Sequence, residues 1–277
     1  MAATARMEVK ARVKWSMAVG EIKISVQGHP RWVTPLARAW ADWTSDFFVR
    51  RKWTVELAEA SNLTLPTAPL FETLPRCQAG RCTLEAPGFE GYIVPEAHTA
   101  RLHAHPAATP GDMSYFVRVA CALQAFTRGG LLFHAAGIVH QDQGYGLFGL
   151  SGSGKTTAAK LSAPDPVLND DLVLLWPDAD APRGWRIQAT PFGKRRGDVA
   201  PAPLRSLLYL VKDTEIFLGP LSRAQSLGEL IANTPVISSD VAWLPQAMAR
   251  WEDVMADVPV YALHFRRDVS FWEVLDG

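Results

Sequence analysis

A chain of 277 residues is long enough for one large domain, or for a catalytic domain with a smaller partner. Lys+Arg and Asp+Glu are both 28, so the formal charge is zero and no global field draws the chain to nucleic acid or to an anionic membrane. At 48% hydrophobic and 20% charged, the composition is that of a soluble globular protein, and no apolar run reaches the roughly 18 residues of a membrane span.

Three cysteines, Cys77, Cys82 and Cys121, are an odd, low count that argues against a disulfide framework and suits a reducing compartment. Cys77 and Cys82 have no CxxC partner that would complete a metal site. Glu8, Lys10, Arg12 and Lys14 interrupt the N-terminus before a secretory apolar segment forms, so the expected location is cytoplasmic. Basic residues cluster at Lys194-Arg195-Arg196 and Arg266-Arg267, which leaves small anion-binding patches open.

In chain order, residues 21–27 alternate polar and apolar as a half-buried strand does. The Trp- and Phe-rich stretch 36–55 has no clear period. Residues 61–112 carry many Pro and Gly with short strand-like pieces such as 91–94, and the turn-rich 106–111 sets a soft boundary. The chain therefore divides into a small N-terminal α+β subdomain, 1–112, available for acceptor recognition, and a larger domain, 113–277. Met113 to Arg128 has the spacing of an amphipathic helix, ended by Gly129-Gly130. Leu131 to His140 and Tyr145 to Phe148 are strand-like. Pro164 and Pro166 keep the helix that begins near Lys155 short. Further strands are expected at 172–176, 185–189, 204–211 and 258–265. A segment at 214–218 would pair with the third of these. Helices are expected at 222–232, with a Ser222-x-x-Gln225 capping box, and at 241–255. Strands and helices mix without strict alternation, which predicts an α/β sheet with antiparallel members.

The segment Gly149-Leu150-Ser151-Gly152-Ser153-Gly154-Lys155-Thr156 has the spacing of a phosphate-binding loop. Its glycines let backbone N–H groups face phosphates with no Cβ in the way, and the following helix points its positive end at the same anions. Lys155 would bridge the β- and γ-phosphates, and the Thr156 hydroxyl would ligate Mg²⁺. The expected bound species is thus a nucleoside triphosphate with Mg²⁺, used as a phosphoryl donor. A kinase also needs carboxylates for the metal and for the proton of the attacking hydroxyl. Asp170 and Asp171, which lie 15 and 16 residues after Lys155, would split those roles. Asn169-Asp170-Asp171 is also good turn chemistry, and both readings can hold together. His134 stands in the strand-like segment before the loop, where a lone histidine is most often a satisfied core residue.

Together His134 to His140, the glycine loop and Asn169-Asp170-Asp171 resemble the catalytic domain of HPr kinase/phosphorylase and its related kinases, which share a fold with ATP-dependent phosphoenolpyruvate carboxykinase. The family's histidine precedes the first loop glycine by 15 residues, as His134 precedes Gly149. The resemblance covers residues about 113 to 265 and thins after Trp176. It implies a P-loop mixed sheet in which Gly149 to Thr156, with Thr157 beside them, bind ATP. It implies His134 as the active-site histidine and Asp171 as the proton acceptor, with Asp170 beside it and Thr156 and Asp170 on the metal. An arginine is expected to steady the transferred phosphoryl, Arg205 first and Arg196 next.

The chain departs from the family in having no Glu between Asp171 and Glu215, where a second metal ligand is expected. It has instead Thr190-Pro-Phe-Gly-Lys-Arg-Arg-Gly-Asp198, similar to the Thr-Pro-Phe stretch of shorter HPr-kinase-like proteins, with Asp198 the substitute ligand. The acceptor is a hydroxyl on a peptide, a protein or a small molecule, and a homo-oligomer is compatible with the relatives. A non-catalytic nucleotide-binding module and an ATP-dependent carboxykinase are the alternatives.

Overall fold

The computed structural model describes residues 12–44, 52–78, 80–193 and 199–276. It is a mixed α/β protein that divides into two compact units, the first taking the chain to Ala18 and Ile22–Ala120, the second Val19–Glu21 and Cys121–Gly277. The first unit is built on β1 (Val13–Val19), β2 (Ile22–Gly28), α1 (Pro30–Ala39), β3 (Trp53–Glu59), β4 (Arg76–Gln78), β5 (Arg81–Ala86), β6 (Phe89–Val94) and β7 (Thr99–Ala104). Its strands form one sheet in the order β1-β2-β3-β7-β6-β5-β4. The pairs β2–β3 and β3–β7 are parallel, and the pairs from β7 to β4 are antiparallel. Cys77 and Cys82 face each other across the β4–β5 hairpin and are joined by a disulfide, which corrects the expectation drawn from their low count. Only Cys121 is free among the described residues, and burial pushes its thiol up to about 12.

The helix α2 (Pro110–Thr127) follows. Gly129 adopts a φ of +97°, a left-handed angle that glycine tolerates, and Gly130 N–H closes back on Ala125 O at 2.8 Å. The expected amphipathic face is in fact apolar nearly all round: Met113, Val117, Val119, Ala122 and Leu123 are all buried. No helix among the described residues is long and apolar enough to cross a membrane.

The second unit contains β8 (Leu131–Phe133), β9 (Ala135–His140), β10 (Gln143–Phe148), α3 (Lys155–Leu161), β11 (Val167–Asn169), β12 (Val173–Pro177), β13 (Trp185–Gln188) and β14 (Ala202–Lys212). It continues with β15 (Phe217–Pro220), α4 (Arg223–Ala232), α5 (Leu244–Asp257), β16 (Val260–Phe265) and α6 (Phe271–Asp276). The sheet runs β11-β9-β10-β14-β13-β12-β8, with β16 also beside β14 and β15 beside β16. Strands β10, β14 and β16 are mutually parallel, and β9 runs antiparallel between β10 and β11. The segment expected to pair with β14 pairs instead with β16, placing Phe217 opposite His264.

Alternation along the central strands sends side chains to both faces. Leu147, Leu208, Leu210 and Leu263 share a core with Ala158 and Ala159 of α3 and Phe271 and Trp272 of α6. On the other face Phe148 packs tilted against Phe133, ring centres 5.3 Å apart, and Phe133 meets Trp251 of α5 edge-on at 4.9 Å. Each fully buried Leu or Phe contributes about 1.5–3 kcal/mol of transfer free energy, so the central strands are held between two apolar layers. The capping box expected at Ser222 is present: Gln225 N–H donates to Ser222 Oγ, and Ser222 N–H to Gln225 Oε1.

Candidate active site

The sheet polarity decides which residues meet. Parallel strands β10, β14 and β16 all end at one edge, and so does β11, which is antiparallel to β9 and therefore parallel to β10. The antiparallel β9 begins at that edge, since Phe148 pairs with Ala135. Residues just before β9 and just after β10, β11, β14 and β16 are thus gathered together. In an open α/β sheet this carboxyl edge is where ligands bind.

The glycine loop joins β10 to α3. Gly154 has φ +117°, and a Cβ there would sit 2.7 Å from Phe265 Cζ, so both backbone angle and space demand glycine. Lys155 is buried, and its ammonium donates to Gly149 O at 2.7 Å and Leu150 O at 3.2 Å. Burial lowers its pKa against the opposing pull of Asp171. Thr156 is exposed at the start of α3, and Leu150 projects into solvent at the loop tip.

His134 falls between two strands rather than inside one. The run expected as a single strand is broken there into β8, paired with β12, and β9, paired with β10 and β11. The His134 N–H donates to Asn233 O at 2.8 Å, which fixes the break. Its side chain is not a core histidine: Nε2 lies 3.1 Å from Asp171 Oδ1, and both groups are partly exposed. Asp170 is buried while its neighbour Asp171 faces outward, so the adjacent carboxylates occupy different environments.

Asn169 orients the pair. It is fully buried at the end of β11. Its Oδ1 accepts from Asp171 N–H at 2.8 Å and Leu172 N–H at 3.0 Å, the turn chemistry read from the sequence. Its Nδ2 donates to Thr190 O at 2.9 Å and Phe192 O at 3.0 Å. Thr190, also buried, returns its hydroxyl to Leu172 O at 2.7 Å. This network fastens the aspartate turn to the Thr190–Gly193 segment and was not anticipated, because the amide's partners lie more than 20 residues away.

A cavity of about 400 Å³ unites these groups. His134, Ser151, Gly152, Gly154, Lys155, Thr156, Thr157, Asp170 and Asp171 all line it. Arg205 does not. It stands near the beginning of β14, close enough to Tyr145 to act on its phenol electrostatically, and five residues before Leu210, whose carbonyl neighbours Gly149. At the rise of a strand that is about 17 Å from the loop. The expectation for Arg205 depends on the direction of its strand, and β14, parallel to β10, carries it away from the loop. Arg196 and Asp198, with Lys194 and Arg195, lie outside the described residues.

The residues that sequence reasoning left unattached are Lys212, Arg266 and Arg267, at the ends of β14 and β16. The basic pair was visible as a cluster, but its place beside the loop depends on the Lys212–Phe265 register. Among the described residues no group of three His, Cys, Asp or Glu is arranged to hold a metal by itself. Mg²⁺ needs less than that, being held through one or two carboxylates with phosphate oxygens and water, and Thr156 with Asp170 and Asp171 in one cavity fits such a site.

The chain matches no protein-family model and no curated protein sequence.

Proposed function

We propose that the chain is a Mg·ATP-dependent kinase of the HPr-kinase-like class, transferring the γ-phosphoryl group to a hydroxyl on a peptide, protein or small molecule. The observation that carries this reading is the 3.1 Å contact between His134 and Asp171 in the cavity walled by the glycine loop. A carboxylate held by a histidine beside a phosphate cradle is placed to accept the acceptor's proton. The loop N–H groups and Lys155 hold the phosphates, and Thr156 and Asp170 would hold the metal, which supplies charge neutralisation at the β- and γ-oxygens. Asp171 takes the proton as the hydroxyl oxygen bonds to the γ-phosphorus. The bond from that phosphorus to the β,γ-bridging oxygen breaks, and ADP departs with its electron pair. His134 keeps Asp171 aimed and shares its charge.

The test is transfer from [γ-³²P]ATP with Mg²⁺ to a panel of Ser- and Thr-containing peptides and small alcohols, using wild type, Lys155→Ala and Asp171→Asn. Wild type labels an acceptor, Lys155→Ala loses ATP binding and labelling, and Asp171→Asn binds ATP but transfers at least about a hundredfold more slowly. Equal labelling by the Lys155→Ala protein would sink the assignment. ATP binding without transfer to any acceptor would favour a nucleotide-binding module.

A further inference from the structure

A second cavity, of about 280 Å³, adjoins the same glycine loop. Gly152, Gly154 and Thr157 line both cavities, so one stretch of loop backbone is their common wall. Their charged linings differ, Lys155 being the one cation of the first besides His134. The first contains Asp170, Asp171 and His134, whereas the second contains Lys212, Arg266 and Arg267. Asp213 also faces the second cavity, but it is engaged by His264 Nδ1 at 2.8 Å and by Thr214 N–H at 2.7 Å. Arg266 pairs with Asp268 at 3.2 Å. Neither Lys212 nor Arg267 has a carboxylate within salt-bridge distance among the described residues. Phe265 closes the back, its ring against the Gly154 backbone. The hydroxyl oxygen of Ser153, also on this wall, is buried and has no hydrogen-bond partner among the described residues.

A triphosphate lying along the loop has two unlike ends. The end that reacts must lie with the metal-binding and proton-accepting carboxylates. The other end carries the α-phosphate and the nucleoside and must leave past the same backbone. We propose that the second cavity is the nucleoside subsite, and that Arg267 is the residue that distinguishes a nucleotide from bare polyphosphate. This rests on the kinase reading of the first cavity. The planar guanidinium stacks on a base, an interaction that an ammonium reproduces poorly. Lys212 adds positive charge for the α-phosphate.

Calorimetric titration of the full chain with ATP and with inorganic tripolyphosphate, both with Mg²⁺, tests the assignment in wild type, Arg267→Ala and Arg267→Lys. Arg267 is exposed, and a thermal melt of each variant confirms the fold. Wild type should bind ATP about tenfold more tightly than tripolyphosphate, and in both variants the ratio should fall toward unity, chiefly through weaker ATP binding. An unchanged ratio in Arg267→Ala overturns the subsite while leaving the loop reading intact. Equal weakening of both ligands, restored by Arg267→Lys, overturns it in favour of a phosphate held there by charge alone. Equal affinity for both ligands in wild type overturns it as well. If wild type binds neither ligand, the triphosphate reading itself fails and the subsite falls with it.

Discussion

Replacing Asn169 tests whether the carboxylate pair is positioned from behind. Asn169→Ala removes two donors and one acceptor that together serve four backbone groups: Thr190 O, Phe192 O, Asp171 N–H and Leu172 N–H. Thr190, Phe192 and Leu172 are buried, so three of the four groups have no ready access to water. At about 1–3 kcal/mol for each buried group left unpaired, with some relaxation, the variant should lose about 3–5 kcal/mol of stability. Asn169→Asp keeps the acceptor but sets a carboxylate against the carbonyls at 2.9 and 3.0 Å. Protonation turns that group back into a donor, so its pKa is raised in the folded state. Stability of this variant is therefore greatest at low pH and is lost as pH rises through the raised value. Denaturant titration at several pH values measures both effects. Function separates positioning from simple loss of stability. Below the unfolding transition, ATP affinity should stay within about threefold of wild type while the transfer rate drops at least about tenfold, because displacement of a reacting group by 1 Å can cost about a hundredfold. A loss under 1 kcal/mol in Asn169→Ala, or an unchanged transfer rate in a folded variant, would refute the reasoning.

Two further outcomes follow from the same sheet. Arg205→Ala should transfer phosphoryl within about twofold of wild type, because Arg205 lies about 17 Å along its strand from the loop; a tenfold loss in the radiolabel assay would contradict that placement. His140 lies 2.6 Å from Asp165 and 3.2 Å from Asp276 and stacks on Trp272 at 4.2 Å, which ties α6 to the sheet. Burial opposes its charge, but the two carboxylates prevail and raise its pKa. The clamp is then fully present below the ordinary histidine value of about 6.5 and is lost as pH rises through the folded-state value. The melting temperature should fall over that window in wild type and change less in His140→Gln; parallel curves would exclude the clamp.

The loop and its lysine were legible in the sequence because their demands are local. The loop turns through a glycine at φ +117°, an angle that L side chains rarely adopt, and the spacing to Lys155 is fixed within one turn. His134 was legible only in part. Its position before the loop could be counted, but the break in the strand is set by the Asn233 carbonyl, 99 residues later. The disulfide was missed because the composition of three cysteines says nothing about a hairpin that sets two of them face to face. Most of the first unit was illegible for a related reason. The pairing of β3 with both β2 and β7 is parallel, and parallel neighbours leave no turn signal between them.

The contrast between Arg205 and Arg267 isolates what local sequence lacks. Both are arginines associated with strands of the same sheet, and only direction and register separate them. Strand β14 enters beside the start of β10 and leaves beside its end, so its first residues are remote from the glycine loop and its last, Lys212, reaches it. Strand β16 runs in the same direction, with Phe265 opposite Lys212, and therefore delivers Arg266 and Arg267 to the same edge. Once the direction of β10 is fixed by the loop that follows it, every parallel neighbour must bring its C-terminal residues to the same edge. A cation in the first half of such a strand serves the scaffold, and one just past its end is available to a phosphate or a base.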